Sequence, residues 1–106
     1  MRTATIFLYD QEVGILEELE EKRQYIFSYS ASYHGEPISL TLPTEGRSFE
    51  FDGFPPFFEG LLPEGMQLEA LIRRSKIDKD DLFSQLVAVG ADLVGAVSVK
   101  KRKGGN

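Results

Sequence analysis

The sequence predicts an α+β fold, in which a mostly antiparallel β-sheet is followed by two to three helices packed on one of its faces. Three observations support this. Residues 24–33 alternate between two faces, as in a strand with one buried side. From Pro55 onward, the apolar residues follow helical spacing. A β-branched run near the end, Leu93–Val99, then returns the chain to the sheet.

The first two strands are predicted from β-branched and aromatic residues. Thr3–Tyr9 contains no chain breaker, Asp10–Glu12 can turn the chain, and Val13–Leu16 can return beside the first strand. A helix over Glu12–Arg23 is the alternative, since some apolar residues there lie near helical spacing. Gly14 favours the strand, because a glycine costs a helix roughly 1 kcal/mol.

Three further extended segments are expected before residue 55. Gln24–Tyr33 alternates strictly, and His34–Pro37 forms a turn. Ile38–Leu42 alternates again and is predicted as a strand that ends at Pro43, while Phe49–Phe51 is a short extended piece. The predicted buried face of the Gln24–Tyr33 strand consists of Tyr25, Phe27, Tyr29, Ala31 and Tyr33.

The helical part begins with two short segments. Phe57–Leu62 predicts a brief helix after two prolines, and Gly65–Ser75 predicts a second. Arg73 and Arg74 lie in the last turn of the second helix, where positive charge interacts favourably with the helix dipole.

A third helix is predicted to begin near Lys79, with Asp78 as its N-cap. Gly90 is expected to end it in a left-handed conformation. Residues 1–99 are therefore predicted to form one domain, and residues 100–106 a basic flexible tail.

Composition excludes several classes of protein. The chain has 106 residues and no cysteine, which rules out disulfide scaffolds and Cys-based metal sites. Its apolar runs are shorter than the ~20 residues that span a bilayer. The N-terminus is typical of a strand rather than of a signal peptide. We therefore expect a cytoplasmic protein without membrane contact.

The charge is unevenly distributed along the chain. Lys100–Lys103 holds four basic residues, whereas residues 1–99 hold eight basic against all seventeen acidic residues. An acidic body disfavours binding to a phosphate backbone and favours a basic protein partner. The tail leaves open a nucleic-acid-binding accessory module, although no aromatic side chain is interleaved for base stacking.

The sequence offers little for catalysis. His34 is the only histidine, and we expect it in an exposed turn. The acidic run Glu17–Glu21 has no apolar enclosure that would raise a carboxylate pKa. Phosphate-binding glycine loops and protein-kinase signatures are absent from the sequence. We therefore predict a protein that is not an enzyme and has no cofactor, metal or catalytic residues.

The apolar segment framed by prolines and glycines, Pro55–Gly65, is the strongest functional signal. A short helix in a small domain cannot bury all its sides, so part of the segment should form a protein–protein surface. For any single residue, both core and interface remain open. The predicted partner-binding residues are Phe57, Phe58, Leu61, Leu62, Pro63, Glu64, Gly65 and Met66.

The order of motifs resembles that of the N-terminal subdomain of HipA-type serine/threonine kinases, the toxins of bacterial toxin–antitoxin operons. The most specific phrases are LLPEG at Leu61–Gly65 and G-x-D-x-x-G-A at Gly90–Ala96. The other matching segments are Val13–Leu16, Ser39–Pro43, Arg73–Arg74 and Asp80–Val89. In fused family members this subdomain precedes the kinase core, which carries the catalytic groups.

The resemblance implies a function in trans. The chain looks like HipS, the free-standing version of this subdomain in tripartite HipBST systems, and such kinship implies an antitoxin. Its partners would be a HipT-like kinase toxin, which it neutralises, and a HipB-like DNA-binding protein in a ternary complex. The alternative is a structural or activating lobe of the same kinase. Met66, just after a rigid turn, is predicted to block the active-site mouth of the kinase.

Overall fold

The computed structural model describes residues 2–63, 65–90, 93 and 96–101, and it describes the backbone alone for Gly65 and Met66. Within these residues the chain forms strands, three α-helices and one short 3₁₀-helix. The strands are β1 (Arg2–Leu8), β2 (Gln11–Glu20), β3 (Gln24–Tyr29), β4 (Ser48–Asp52) and β5 (Val97–Lys101). The helices are α1 (Pro56–Glu59), α2 (Gly65–Ser75) and α3 (Leu82–Val89), and the 3₁₀-helix is Thr44–Gly46.

The strands form one antiparallel sheet in the order β4-β3-β2-β1-β5. A two-residue turn joins β1 to β2, and both of its residues, Tyr9 and Asp10, have positive φ values of 50° and 66°. Positive φ at both positions matches the right-handed twist of the flanking strands. The predicted α+β class is confirmed.

The second strand is longer than predicted and runs to Glu20, so the alternative helix over Glu12–Arg23 is wrong. Gly14 shows why a strand forms here. A Cβ atom at this position would lie 2.4 Å from the carbonyl oxygen of Ser28 on the adjacent strand β3. The glycine therefore allows two strands to approach closely, which is its common role inside a sheet.

The core lies between one sheet face and the helices. The alternation predicted for β3 is confirmed at Tyr25, Phe27 and Tyr29, which are buried. The strand ends at Tyr29, however, and Ala31 is exposed in a turn. The buried cluster that joins sheet and helices includes Ala4, Ile6, Leu16, Phe27, Val99, Phe58, Phe83 and Leu86.

The predicted strand over Ile38–Leu42 does not form. The chain turns there instead, because the Leu42 N–H donates to the carbonyl oxygen of Ser39 (3.0 Å) and the Thr41 N–H donates to the hydroxyl of Ser39 (3.2 Å). Side-chain hydroxyls that bond to nearby backbone compete in this way with strand pairing. Ile38 and Leu42 are still buried, but Leu40 is exposed.

The predicted start of the third helix is wrong, and its predicted end at Gly90 is confirmed in position but not in conformation. Asp81, not Asp78, is the N-cap, and its carboxylate accepts a hydrogen bond from the Ser84 N–H (3.2 Å). Gly90 is right-handed, with φ −53° and ψ −38°. A Cβ atom on Gly90 would lie 2.0 Å from the carbonyl oxygen of Val99. The glycine is required by the close approach of α3 to β5 rather than by a left-handed cap.

The last strand begins later than predicted, at Val97, and continues to Lys101. Lys100 and Lys101 pair with Thr5 and Ala4 of β1, which places them in the sheet. The remainder of the predicted tail, residues 102–106, lies outside the described residues.

Candidate partner-binding surface

The segment around α1 is fixed by its prolines. Pro56 occupies the first helical position, where a missing N–H costs nothing because that group has no partner in the helix. The carbonyl oxygen of Pro55 accepts from the N–H groups of Phe58 (3.1 Å) and Glu59 (3.0 Å). One more turn follows, in which the Leu61 N–H donates a hydrogen bond to the carbonyl oxygen of Phe58 (3.1 Å). The apolar side chains of this segment are therefore held in defined positions.

The predicted partner-binding residues divide into two groups. Phe58 is fully buried and contacts the rings of Phe27 and Phe57, with centroids 5.6 and 5.1 Å away, so it belongs to the core. Half-buried side chains at the edge of the core form the second group: Phe57, Leu61, Leu62 and Pro63. These four can contact both the domain and a partner.

The last three predicted residues are described only in part. Glu64 lies outside the described residues. Gly65 and Met66 begin α2, which confirms the predicted start of this helix, but their side chains lie outside the described residues. The predicted blocking role of Met66 stays a prediction.

The structure adds a groove that extends the segment. Its volume is about 460 Å³. It is lined by Gly60, Leu61, Pro63, Gln67, Leu71, Arg74, Val89 and Leu93. We call this set the apolar groove. Val89 was missed by sequence reasoning, because the groove is formed by side chains from separate helices, and only their packing brings these together.

The rim of the apolar groove is polar and basic. Gln67 and Arg74 are exposed and lie on the same face of α2 as the buried Leu71, which is between them in the groove lining. Among the described residues, Arg74 takes part in no ion pair. A groove with apolar walls and a cationic edge can bind an apolar segment and orient it by charge.

An ionic cluster that is partly buried holds α3, which forms one wall of the groove, against the sheet. Arg2 donates to both carboxylate oxygens of Glu18 (2.6 and 2.7 Å) and to both of Asp81 (3.2 and 3.0 Å). Its guanidinium also lies 4.8 Å from the centroid of the Phe83 ring. Arg2 therefore ties β1 to β2 and to the N-terminus of α3.

The cluster shifts the pKa values of its members. Burial alone raises the pKa of Glu18, but hydrogen bonds from Arg2, from the Lys22 N–H (3.0 Å) and from the Tyr25 hydroxyl (2.9 Å) outweigh it, so the pKa lies below its usual range. Burial also raises the pKa of Asp81, but hydrogen bonds from Arg2 and from the hydroxyl and N–H of Ser84 outweigh it, so this pKa is lowered as well. Both acids are thus held as carboxylates, which suits a structural ion cluster.

The predicted exposure of His34 is confirmed, and its Nδ1 atom lies 3.4 Å from Nη2 of Arg47. Over residues 2–63, 65–90, 93 and 96–101, the structure shows no group of three or more His, Cys, Asp or Glu side chains that could hold a metal ion. In the same ranges, no helix has both the length and the apolar character needed to cross a membrane.

Comparison with known proteins identifies the family. A family model described as the HipA N-terminal domain matches residues 4–100. A solved structure of the N-terminal domain of HipA toxin superposes with a TM-score of 0.76 and 29% identity, covering 98% of this chain and 95% of that one. The homology is therefore to a non-catalytic domain.

Two relatives show the domain in different settings. A protein of unknown function from Haemophilus influenzae is 35% identical over 103 residues, covering 97% of this chain and 95% of that protein. Y4dM of Sinorhizobium fredii, which has a provisional designation as a kinase, is 32% identical over 107 residues. That match covers 92% of this chain but only 26% of Y4dM. From its sequence motifs, its fold and these matches, the chain belongs to the HipA N-terminal domain family.

Proposed function

We propose that this chain is an antitoxin that binds a HipT-like serine/threonine kinase toxin and neutralises it by docking where a fused N-terminal domain would sit. The observation that carries the proposal is the apolar groove, with its basic rim, on a domain of the HipA N-terminal family. A domain that packs against a kinase in one protein retains a surface suited to the same contact between separate chains.

The two relatives support this arrangement. The same domain makes up 26% of Y4dM, a longer protein with a kinase designation, and 95% of the Haemophilus protein is covered by this chain. The domain therefore occurs both as a part of a longer chain and as nearly the whole of a small protein. Under this proposal, a contact made within one chain in the longer protein is made between two separate chains here.

The physical driving force is burial of the groove walls. Leu61, Pro63 and Val89 are half-buried in the free domain, so docking removes apolar surface that still contacts water. Well-packed apolar anchors at the centre of an interface contribute most of the binding energy. The Arg74 guanidinium at the rim then favours a partner segment with an acidic residue beside its apolar contact.

A direct test compares two arginines on the same helix. Arg74→Glu reverses the charge at the groove rim, whereas Arg73→Glu makes the same change one residue away, at a position that does not line the groove. Both side chains are exposed, so both variants should fold. With the purified HipA-type kinase encoded nearest to this chain, Arg74→Glu should weaken binding by about tenfold. Arg73→Glu should leave binding close to that of the wild type.

The readout is autophosphorylation of the kinase in the presence of ATP, with titrated antitoxin. Inhibition by the wild type, reduced for Arg74→Glu alone, supports the proposal. A kinase that neither binds the wild-type chain nor changes its rate overturns it. Met66→Asp belongs in the same assay: reduced inhibition would support the predicted block of the active-site mouth, and full inhibition would exclude it.

A second candidate function is a structural or activating subunit of the same kinase. It is favoured by Y4dM, in which the domain belongs to a longer protein with a kinase designation. The same titration separates the two functions, because an activating subunit raises the phosphorylation rate and an antitoxin lowers it.

We also propose that a HipB-like DNA-binding protein completes a ternary complex, and that this complex is cytoplasmic, where the kinase finds ATP. Direct contact of this chain with nucleic acid is not expected, because its net charge is −5. Light scattering on the mixed proteins would give the stoichiometry. An electrophoretic shift of DNA by this chain alone would contradict the proposal.

A further inference from the structure

The most exposed large apolar side chain in the described part of the molecule is Leu40, of which 95% is accessible to solvent. The next are Tyr9 at 77% and Leu19 at 45%. The neighbouring apolar residues Ile38 and Leu42 are both buried. Of the three alternating apolar residues, the chain therefore buries Ile38 and Leu42 and exposes Leu40.

The loop that displays Leu40 is fixed at both ends by one side chain. The hydroxyl of Tyr29 accepts a hydrogen bond from the Ile38 N–H (3.0 Å) and donates one to the carbonyl oxygen of Leu42 (2.5 Å). Pro37 and Pro43 flank the loop and restrict its backbone further. Tyr29 is itself buried in the core, so the loop is tied to the most rigid part of the domain.

The tip of the loop is closed by its own hydroxyl groups. The Ser39 and Thr41 hydroxyls lie 2.9 Å apart, and the Leu42 N–H donates to the carbonyl oxygen of Ser39. These bonds hold the backbone on both sides of Leu40, whose side chain lies in solvent. A loop whose backbone is already ordered loses less entropy on binding, which is the advantage of preorganisation.

The charges around the tip define the chemistry of its partner. Residues 37–43 contain no charged side chain, although 27% of the whole chain is charged. Glu36 and Glu45 flank this neutral segment, and both are exposed. Arg47 holds the two flanks together, because its Nη2 atom donates to the carbonyl oxygen of Tyr33 (2.7 Å) and its Nη1 atom to that of Thr44 (3.3 Å).

We infer that Leu40 is a second anchor for the kinase partner, and that it inserts into an apolar pocket with a basic rim on the kinase. This inference rests on the proposed function and adds a contact outside the apolar groove, since Leu40 does not line it. The domain is 39 Å along its longest axis, so the distance between the two places is within the dimensions of a single protein partner. Two separated contacts slow dissociation more than either does alone.

The test compares two exposed leucines, Leu40 in the loop and Leu19 in strand β2. Leu40→Ser removes the anchor, and Leu19→Ser removes an exposed leucine from strand β2 as the control. Full burial of one leucine at an interface corresponds to about a 10- to 100-fold change in Kd. We therefore expect Leu40→Ser to bind the neighbouring HipA-type kinase at least about tenfold more weakly, with Leu40→Met retaining most of the affinity. Leu19→Ser should bind as the wild type does.

A separate variant tests the basic rim proposed for the pocket on the kinase. Glu45→Lys should slow association and weaken its dependence on salt, because it removes an attractive charge from the edge of the contact. Equal kinase affinity of wild type and Leu40→Ser overturns the inference and leaves the proposed function intact. Failure of the wild type itself to bind the kinase overturns the proposed function and this inference with it.

A second copy of this chain is the competing occupant. Sedimentation of the chain alone distinguishes the two cases, since wild type and Leu40→Ser should both be monomeric. Self-association of the wild type that Leu40→Ser abolishes would overturn the inference in favour of a homo-oligomer.

Discussion

Replacement of Arg2 by alanine should destabilise the domain and make its stability respond differently to pH. Arg2 is the only cation that contacts both Glu18 and Asp81 among the described ion pairs. Glu18 is only 4% exposed, so the substitution leaves a carboxylate buried without its ionic partner. The cost of such a change is set by the desolvation of the remaining charge rather than by the strength of the lost contact.

The expected loss of stability depends on which hydrogen bonds the Glu18 carboxylate retains in the variant. Removing one partner from a fully buried pair costs about 3–5 kcal/mol. Arg2 is 30% exposed, and Glu18 retains the Tyr25 hydroxyl and the Lys22 N–H, so the effect should be smaller. We expect a loss of about 2–3 kcal/mol at pH 7, out of a total stability that is typically about 5–15 kcal/mol.

The pH dependence provides a second readout. In the wild type, the lowered pKa values of Glu18 and Asp81 stabilise the fold above the unfolded pKa of a carboxyl group, and this contribution is lost as pH falls through the folded pKa. Without Arg2, burial dominates and the pKa of Glu18 rises. The variant can then bury Glu18 in its neutral form, so the difference in stability between variant and wild type should shrink from pH 7 to pH 4.

Urea unfolding followed by circular dichroism at both pH values measures these differences. The control is Arg23→Ala, which breaks an exposed pair with Glu20 and should cost less than about 0.5 kcal/mol. A loss below about 1 kcal/mol for Arg2→Ala, or the same loss at pH 4 and pH 7, would refute the reasoning.

Three other substitutions, one of them with a matched glycine control, test the packing. Gly90→Ala places a Cβ atom against a β5 carbonyl and should cost about 1–3 kcal/mol or more, whereas Gly60→Ala meets nothing closer than 3.4 Å and should be tolerated in thermal unfolding. Phe58→Ala should cost about 3–5 kcal/mol in urea unfolding, and a loss below half of that would argue against its place in the core. Tyr29→Phe leaves two buried backbone groups unpaired and should cost about 1–3 kcal/mol. Hydrogen exchange should also speed up at the Ile38 amide, and unchanged protection there would contradict the role of the Tyr29 hydroxyl.

The strands with strong alternation could be predicted from the sequence. In β3, every second residue is aromatic, so the period alone indicates which face of the strand is buried. Ile38–Leu42 has the same period but forms a turn, because the Tyr29 hydroxyl and the Ser39 side chain satisfy its backbone groups. That competition depends on a tertiary contact, and no local pattern reveals it.

Helix ends and the candidate site were harder to predict for a related reason. Asp78 and Asp81 are equally suitable N-caps by residue type, and the contact of Arg2 with Asp81 shows which one the fold uses. The prolines around α1 correctly indicated a short helix that carries apolar side chains. They could not show that Phe58 would face inward, or that α2 and α3 would complete a groove beside Leu61.

The sheet order has a consequence for synthesis on the ribosome. Strand β1 lies between β2 and β5, so one edge of β1 is paired only when residues 97–101 have been made. Until that segment leaves the exit tunnel, the nascent chain exposes an open hydrogen-bonding edge along β1, where another chain can add. Premature termination before Val97 would thus release an incomplete sheet with an unpaired, aggregation-prone edge rather than a slightly shorter domain. The solubility of this protein is therefore linked to completion of its translation.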